Sequence, residues 1–178
     1  MLLIKGLSER GRGSAVYIRK ATIDDAPTIF AIRREAIRAR CRDHYPWQDL
    51  ETWTSGGMSE TFARRVVDKF YVAVTAEHIV GTGMIDLATG KVDAVFVQPE
   101  YMGRGVGRTM MAYLEGLAIS EGLEDIHLDA TLNAAPFYRA MGFEGNDTAV
   151  YESSLGVSLA CVPMIKRLAL VPSAGEWK

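Results

Sequence analysis

Cysteine and histidine are scarce in this chain. Its 178 residues include two cysteines, Cys41 and Cys161, and three histidines. No CxxC pair and no Cys/His cluster with zinc spacing occurs, which excludes a disulfide framework and a zinc module. Both cysteines read as small buried hydrophobes, and such usage fits a reducing compartment. No apolar run reaches the roughly eighteen residues of a membrane span. The opening Met1-Leu2-Leu3-Ile4-Lys5-Gly6 turns polar too soon for a signal peptide. These absences lead us to expect a cytoplasmic protein without a membrane partner. A strong charge of one sign is also missing: the formal net charge is −2. A sequence-independent nucleic-acid binder carries a basic excess, so no nucleic-acid partner is expected. There is no internal repeat and no low-complexity tract.

What is present is a chain of single-domain length with 48% apolar residues, enough for a sizeable core. Residues 1–14 read as a loose leader, 15–169 as the domain and 170–178 as a tail. Ala15–Arg19 alternates weakly, as a strand does. Thr22-Ile23-Asp24-Asp25 has the form of a capping box. It opens a helix with Ile29, Ile32, Ala36 and Ile37 on its apolar side and Arg33, Arg34, Arg38 and Arg40 on the side assigned to solvent. Cys41–Gly57 reads as irregular, and a short helix is expected near Ser59–Asp68. Tyr71–Thr75, Ile79–Leu87 and Val92–Val97 are apolar runs joined by short polar turns, the pattern of an antiparallel meander. A helix with Met110, Leu114, Leu117 and Ala118 on one side follows, then a strand over Ile126–Ala130. A short helix near Pro136–Met141 stops at Gly142. Strands at about Thr148–Glu152 and Leu159–Arg167 close the domain.

The most informative segment is Val95-Phe96-Val97-Gln98-Pro99-Glu100-Tyr101-Met102-Gly103-Arg104-Gly105-Val106-Gly107-Arg108. It reads as strand, glycine turn, helix. A helix N-terminus offers unpaired N–H groups and partial positive charge, and glycines before it let an anion approach the backbone. The turn can cradle a phosphate or pyrophosphate; equally, it can be only a tight turn that needs positive φ. The dinucleotide fingerprint fails, because Arg108 and Met110 stand where its last glycine belongs. The P-loop pattern fails as well, since no Lys-Ser/Thr pair follows.

Val97–Arg108, followed by Tyr138-Arg139-Ala140-Met141-Gly142-Phe143, resembles the GNAT (Gcn5-related) N-acetyltransferase superfamily. The similarity covers roughly residues 16–168, and both motifs stand in the family's order. It implies one mixed α/β domain with a central sheet of about seven strands flanked by helices. It also implies acetyl transfer from acetyl-CoA to a primary amine, with no metal. The alternative is a non-catalytic acyl-CoA-binding or sensory module on the same fold. In the family's turn, (Arg/Gln)-x-x-Gly-x-(Gly/Ala), Gly105 and Gly107 fill the glycine positions, while Met102 replaces the polar first residue. The resemblance implies that the amides of Gly103, Arg104, Gly105, Val106, Gly107 and Arg108 hold the pyrophosphate. It further implies that the pantetheine arm pairs with the backbone of Val95, Phe96 and Val97. Members commonly dimerise, but no seam for a homodimer is visible.

Acyl transfer from a thioester needs a neutral amine, donors for the oxyanion and a proton for the thiolate. Tyr138 matches the family's tyrosine near the CoA sulfur and is the candidate acid; the plainer reading is a packed aromatic. An amide of Val95–Val97 is the candidate oxyanion donor. Asn133 matches an asparagine that contacts CoA, but it precedes Tyr138 by five positions, fewer than the family commonly has. Capping of the next helix is its other reading. Asp93 is the candidate general base, expected on the face shared by Val95 and Val97; Asp86 and Glu77 are weaker candidates, and water is the alternative. His44, Tyr45, Trp47 and Trp53 fall where the family's substrate-covering loop and second helix lie, and are candidates to wall an acceptor pocket. His78 and His127 read as exposed. The acceptor itself, a small amine, amino acid, antibiotic or protein terminus, is left open.

Overall fold

A computed structural model of the chain describes residues 15–76 and 78–169. The expected leader, tail and Glu77 lie outside them. Among the described residues a single sheet has seven strands in the order β1-β2-β3-β4-β5-β7-β6. The strands are β1 (Tyr17–Lys20), β2 (Phe70–Thr75), β3 (His78–Asp86), β4 (Lys91–Val97), β5 (Asp125–Thr131), β6 (Ala149–Glu152) and β7 (Ser158–Arg167). The helices are α1 (Ala26–Arg40), α2 (Trp47–Trp53), α3 (Glu60–Lys69), α4 (Val106–Ser120) and α5 (Ala135–Ala140). This is the mixed α/β architecture expected from the sequence. All pairings are antiparallel except β4 with β5.

Local chemistry explains the elements. The Thr22–Asp25 capping box forms, and Asp25 also takes a bidentate pair from Arg19 at 2.7 and 2.9 Å. Pro27 occupies the first turn of α1, where its missing N–H costs nothing. Ser59 caps α3 by accepting from the Phe62 N–H. The α1 positions 29, 32, 36 and 37 are buried, as the helical spacing requires. β2 is buried throughout because helices cover both faces of the sheet.

Two cores sandwich the sheet. On one face, α4 packs Met110, Met111 and Leu114 with Val92, Ile126 and Leu128. A Cβ at Gly81 or Gly83 would collide with Val106 or Met110, so these glycines let α4 lie close to β3. On the other face, α1 and α3 pack Ile29 and Val66 against Val72 and Met84. A third cluster joins Ile37, Leu50 and Trp53 to Val157 and Leu159.

Two segments differ from the sequence-based expectation. Cys41–Gly57 is not wholly irregular: α2 lies within it, with Leu50 and Trp53 buried three residues apart on one side. Nor is the arginine side of α1 simply solvated. Arg33 Nη2 donates to the Trp53 carbonyl (3.2 Å), and Arg38 Nε donates to the buried Thr54 hydroxyl (2.9 Å). Among the described residues no helix is long and apolar enough to cross a membrane.

Candidate active site

The sheet opens between its two parallel neighbours. β4 and β5 pair only at Lys91↔His127, with His127 N–H donating to the Gly90 carbonyl (3.0 Å). Gly90 has φ +75°, and a Cβ there would stand 2.8 Å from the Asp125 carbonyl oxygen. Glycine is therefore required at the apex of the opening. Beyond the apex the strands diverge. In an antiparallel pair alternate residues turn both N–H and C=O away from their partner. On β4 those groups face the gap, where no strand meets them.

A bulge adds to this geometry. Ile85 pairs with Val92 and Met84 with Ala94, which leaves Asp93 as the extra residue. Val92, Val95 and Val97 pack toward α4, while Ala94 and Phe96 pack toward the opposite side. The expected placement of Asp93 with Val95 and Val97 assumed unbroken alternation, which the bulge interrupts. Asp93 is exposed and faces Lys91 Nζ at 3.5 Å; the same Nζ lies 3.2 Å from Asp129.

A cavity of about 510 Å³ runs along the free edge of β4. Val95, Phe96 and Val97 line it along the strand, Gly103, Gly105, Gly107 and Arg108 at the turn, and Asn133, Phe137 and Tyr138 beside α5. Its far wall carries Ile37, Arg40, Cys41 and Trp53. The glycine turn sits at one end. Gly103 and Gly105 have φ +74° and +85°, and Gly105 caps α4 in the left-handed conformation. Among the described residues, no backbone acceptor outside helices and strands takes the amides of residues 103–108. Val106 turns its side chain into the core, so it can contribute only its N–H. Arg104 is exposed, stacks on Tyr101 at 5.3 Å and does not line the cavity; Tyr101 and Met102 do. Arg40 and Arg108 line the cavity and form no ion pair among the described residues. Open amides, a helix start and two uncompensated cations suit an anionic, phosphate-bearing ligand.

Tyr138 stands where the strand edge and α5 meet. Its ring packs edge-on against Phe137 and Phe143, with centroids at 5.1 and 5.6 Å. Burial pushes its hydroxyl above the ordinary phenol value, so the group stays protonated throughout the neutral range. Asn133 does not cap α5, whose N-cap is Ala134. Its Oδ1 instead accepts from the Cys41 thiol (3.3 Å) on the far wall. Burial pushes that thiol up to about 11. Cys41 is therefore a neutral donor that fixes Asn133, with little thiolate character.

The four aromatic-loop candidates separate. Trp53 is buried and lines the cavity. Tyr45 is buried behind the cavity wall; its hydroxyl donates to the Ala160 carbonyl (2.6 Å) and accepts from Leu132 N–H (2.9 Å). That pair of bonds clamps the α1–α2 connection to the ends of β5 and β7. His44, in the turn before α2, and Trp47 are exposed and line no part of the cavity; α2 turns only Leu50 and Trp53 inward. Asp86 pairs with Lys69 at the end of β3. Sequence reasoning did not find the inner wall of α1, Ile37 with Arg40, although the helical period that buries Ile37 was the available signal.

Comparison with known proteins gives the family and the fold. The model of the acetyltransferase (GNAT) domain family matches residues 41–168. An uncharacterized N-acetyltransferase, YafP of Escherichia coli K12, is 29% identical over 129 residues, covering 72% of this chain and 81% of that protein. A GCN5-related N-acetyltransferase from Rhodopseudomonas palustris superposes with TM-score 0.78 at 28% identity, over 87% of this chain and 96% of the other. The PaiA N-acetyltransferase of Thermoplasma acidophilum, solved in complex with coenzyme A, superposes with TM-score 0.66 at 19% identity, over 86% and 99% of the two chains.

Proposed function

Because the chain belongs to the GNAT acetyltransferase family, we propose that it moves an acetyl group from acetyl-CoA to a primary amine in a ternary complex. The observation that carries this reading is the cavity joining the open amides of residues 103–108, the unpaired edge of β4 and Tyr138. In this reading the pyrophosphate rests on the turn, with Arg108 beside it. The pantetheine amides add to β4 as a short extra strand, which satisfies the groups facing the gap. The thioester then reaches Tyr138.

The amine nitrogen attacks the thioester carbonyl carbon, and a β4 amide receives the developing oxyanion. The carbon–sulfur bond breaks as Tyr138 gives its proton to sulfur. The proton lost by the amine goes to water in the open cavity and, through water, restores Tyr138. Asp93 sits outside the cavity wall and is held by Lys91, so water supplies this path more directly than the expected base. Cys41, the cysteine that lines the cavity, is kept as a thiol by burial. This favours direct attack over an acetyl-cysteine intermediate.

Calorimetric titration with acetyl-CoA, followed by assay of thiol release with a panel of amines, tests the proposal. Saturable one-to-one binding with amine-dependent release is expected. Binding without release from any amine would leave a binding module, and absence of binding would overturn the reading.

A further inference from the structure

The cavity wall carries two arginines and no acid. Among the described residues that line it, Arg40 and Arg108 are charged, and none is Asp or Glu. The two arginines enter from opposite faces of the sheet. Arg108 stands in the first turn of α4, whose cluster holds Val95 and Val97. Arg40 is the last residue of α1, and its neighbours Ile37 and Cys41 cluster instead with Trp53 and Phe96. Arg40 is also remote from the glycine turn. Thr28, near the start of α1, shares a wall with Gln98 and Tyr101 just before that turn. Arg40 lies about 18 Å further along the helix axis. Beside it, the Cys41 thiol reaches Asn133 at 3.3 Å, just before the helix that carries Tyr138. The other arginines of α1 are engaged by the protein. Arg33 donates to the Trp53 carbonyl, Arg38 donates to the Thr54 hydroxyl, and Arg34 stacks on Phe30 at 5.8 Å. Among the described residues the Arg40 side chain has no such partner and no ion pair. It is exposed, as a group that meets an incoming molecule has to be.

We infer that Arg40 binds an anionic group of the acceptor and that the acid-free wall turns away acceptors carrying only amines. The substrate class is thus an amine that also bears a carboxylate or a phosphate. This rests on the acetyl-transfer reading and deepens it. A free amine is a cation near neutral pH. A second ammonium on the same molecule would meet a guanidinium and find no carboxylate on the wall, and like charges so placed act against the wrong partner. An oxyanion there meets a planar fork of N–H donors that suits carboxylate and phosphate alike; the assay separates the two. Ile37 and Trp53 beside Arg40 offer the body of the acceptor an apolar surface. A cation in the last turn of a helix also favours that helix's own carbonyls, but such a role takes no notice of the acceptor's charge.

The experiment measures thiol release with two matched sets of acceptors. One holds an ω-amino acid, its amide and the diamine of equal length; the other holds an amino-sugar phosphate and the parent amino sugar. Wild-type protein is expected to favour the anionic member of at least one set, which identifies carboxylate or phosphate, and to use the diamine least. Arg40→Gln should raise the KM of that anionic member about fivefold to fiftyfold, the span from a screened surface pair to a charge-assisted hydrogen bond. Its kcat should stay within about threefold and its affinity for acetyl-CoA within about twofold. Arg40→Lys should recover part of the loss, and Arg40→Glu should reverse the ranking in favour of the diamine. Equal KM shifts for charged and uncharged members would mean that Arg40 only supports the helix end, and would overturn the inference. Weakened acetyl-CoA binding by Arg40→Gln would assign the residue to the phosphates of that ligand and overturn it as well. So would a wild-type protein that binds acetyl-CoA yet favours no anionic acceptor, a result that needs no variant to fold. Failure of the wild type to bind acetyl-CoA would instead overturn the transfer reading, and this inference with it.

Discussion

Replacing Tyr138 by Phe removes one oxygen and leaves the ring where Phe137 and Phe143 hold it, at 5.1 and 5.6 Å. Among the described residues the hydroxyl has no hydrogen-bond partner, and burial alone accounts for its raised pKa. The substitution should therefore cost under about 1 kcal/mol of stability and report on chemistry. A thiol has a pKa of about 8.5, so near pH 7.5 an unprotonated leaving sulfur is disfavoured by about one unit, or about 1.4 kcal/mol. The apolar rings around Tyr138 solvate a thiolate less well than bulk water does, which enlarges that cost. General acids contribute about 10²–10⁴-fold, and a sulfur leaving group lies at or below the low end. We expect kcat to fall about tenfold to a hundredfold, with acetyl-CoA affinity within about threefold. The sign of the pH effect follows from the raised pKa: Tyr138 must be protonated to act, and it ionises only above the ordinary phenol value of 10.0. The kcat profile should show no descending limb from this group below about pH 10. Thiol-release kinetics and calorimetry of the two proteins check both points. A kcat within about twofold of wild type, or a loss confined to acetyl-CoA binding, would refute the acid role.

Gly105→Val places a branched side chain at φ +85° in the open space before α4. It should weaken acetyl-CoA binding at least about tenfold by strain and by covering the amides; calorimetry showing wild-type affinity would remove the turn from the site. Asp93→Asn should leave kcat/KM within about twofold, because Asp93 is outside the cavity and a proton path through water remains; a loss beyond about tenfold would reinstate it as the base. The Arg19 pair above all, with the Thr22 capping bonds, holds the Asp25 carboxyl down at about 2 against an ordinary 3.8. A depressed carboxylate stabilises the fold above the unfolded pKa and loses that contribution as pH falls through the folded one. Arg19 is 39% exposed, which screens the pair, so Asp25→Asn should cost about 1–2 kcal/mol at pH 7. In urea titrations that difference should shrink below pH 4 and vanish near pH 2; a difference constant across this range would contradict the linkage.

The sequence made the sheet legible because each strand carries its own signal. β2 to β4 are apolar runs with polar turns, and Ile126, Leu128 and Ala130 alternate with His127 and Asp129 as β5 requires. The two motifs located the glycine turn and Tyr138. What could not be read were features that depend on relations between distant segments. The bulge at Asp93 is a register relation with β3, invisible along β4 alone. The roles of Tyr45 and Asn133 are set by partners more than eighty residues away. The arginines of α1 read as a solvated face by period, yet the carbonyl and hydroxyl that two of them meet belong to the end of α2. Aromatic residues crowded in one stretch suggested a shared wall, but α2 turns Trp53 inward and leaves Trp47 55% exposed. Composition reports the presence of such residues, and only the helix phase decides which of them face inward.

The splay between β4 and β5 is costly for a sheet to keep. It leaves backbone donors and acceptors without partners in the middle of the structure, where the neighbouring strand would ordinarily satisfy them. Three local devices hold it open: Gly90 brings the strands together at one point only, the bulge at Asp93 bends β4, and Pro99 ends any continuation toward the turn. The Lys91 bridge between Asp93 and Asp129 spans the gap just above the apex and holds the two strands at that separation. A purely structural domain would gain by closing the gap with further pairs, since Val92–Val97 and Ile126–Ala130 have the length to form them. That the gap instead leads from open amides at a helix start to a protonated tyrosine gives the unpaired edge a use: a ligand with amides of its own can complete it. The same reasoning accounts for Met102. If the pyrophosphate rests on the turn as proposed, its recognition uses the amides of residues 103–108 and Arg108, and the side chain at position 102 can be apolar without closing the site.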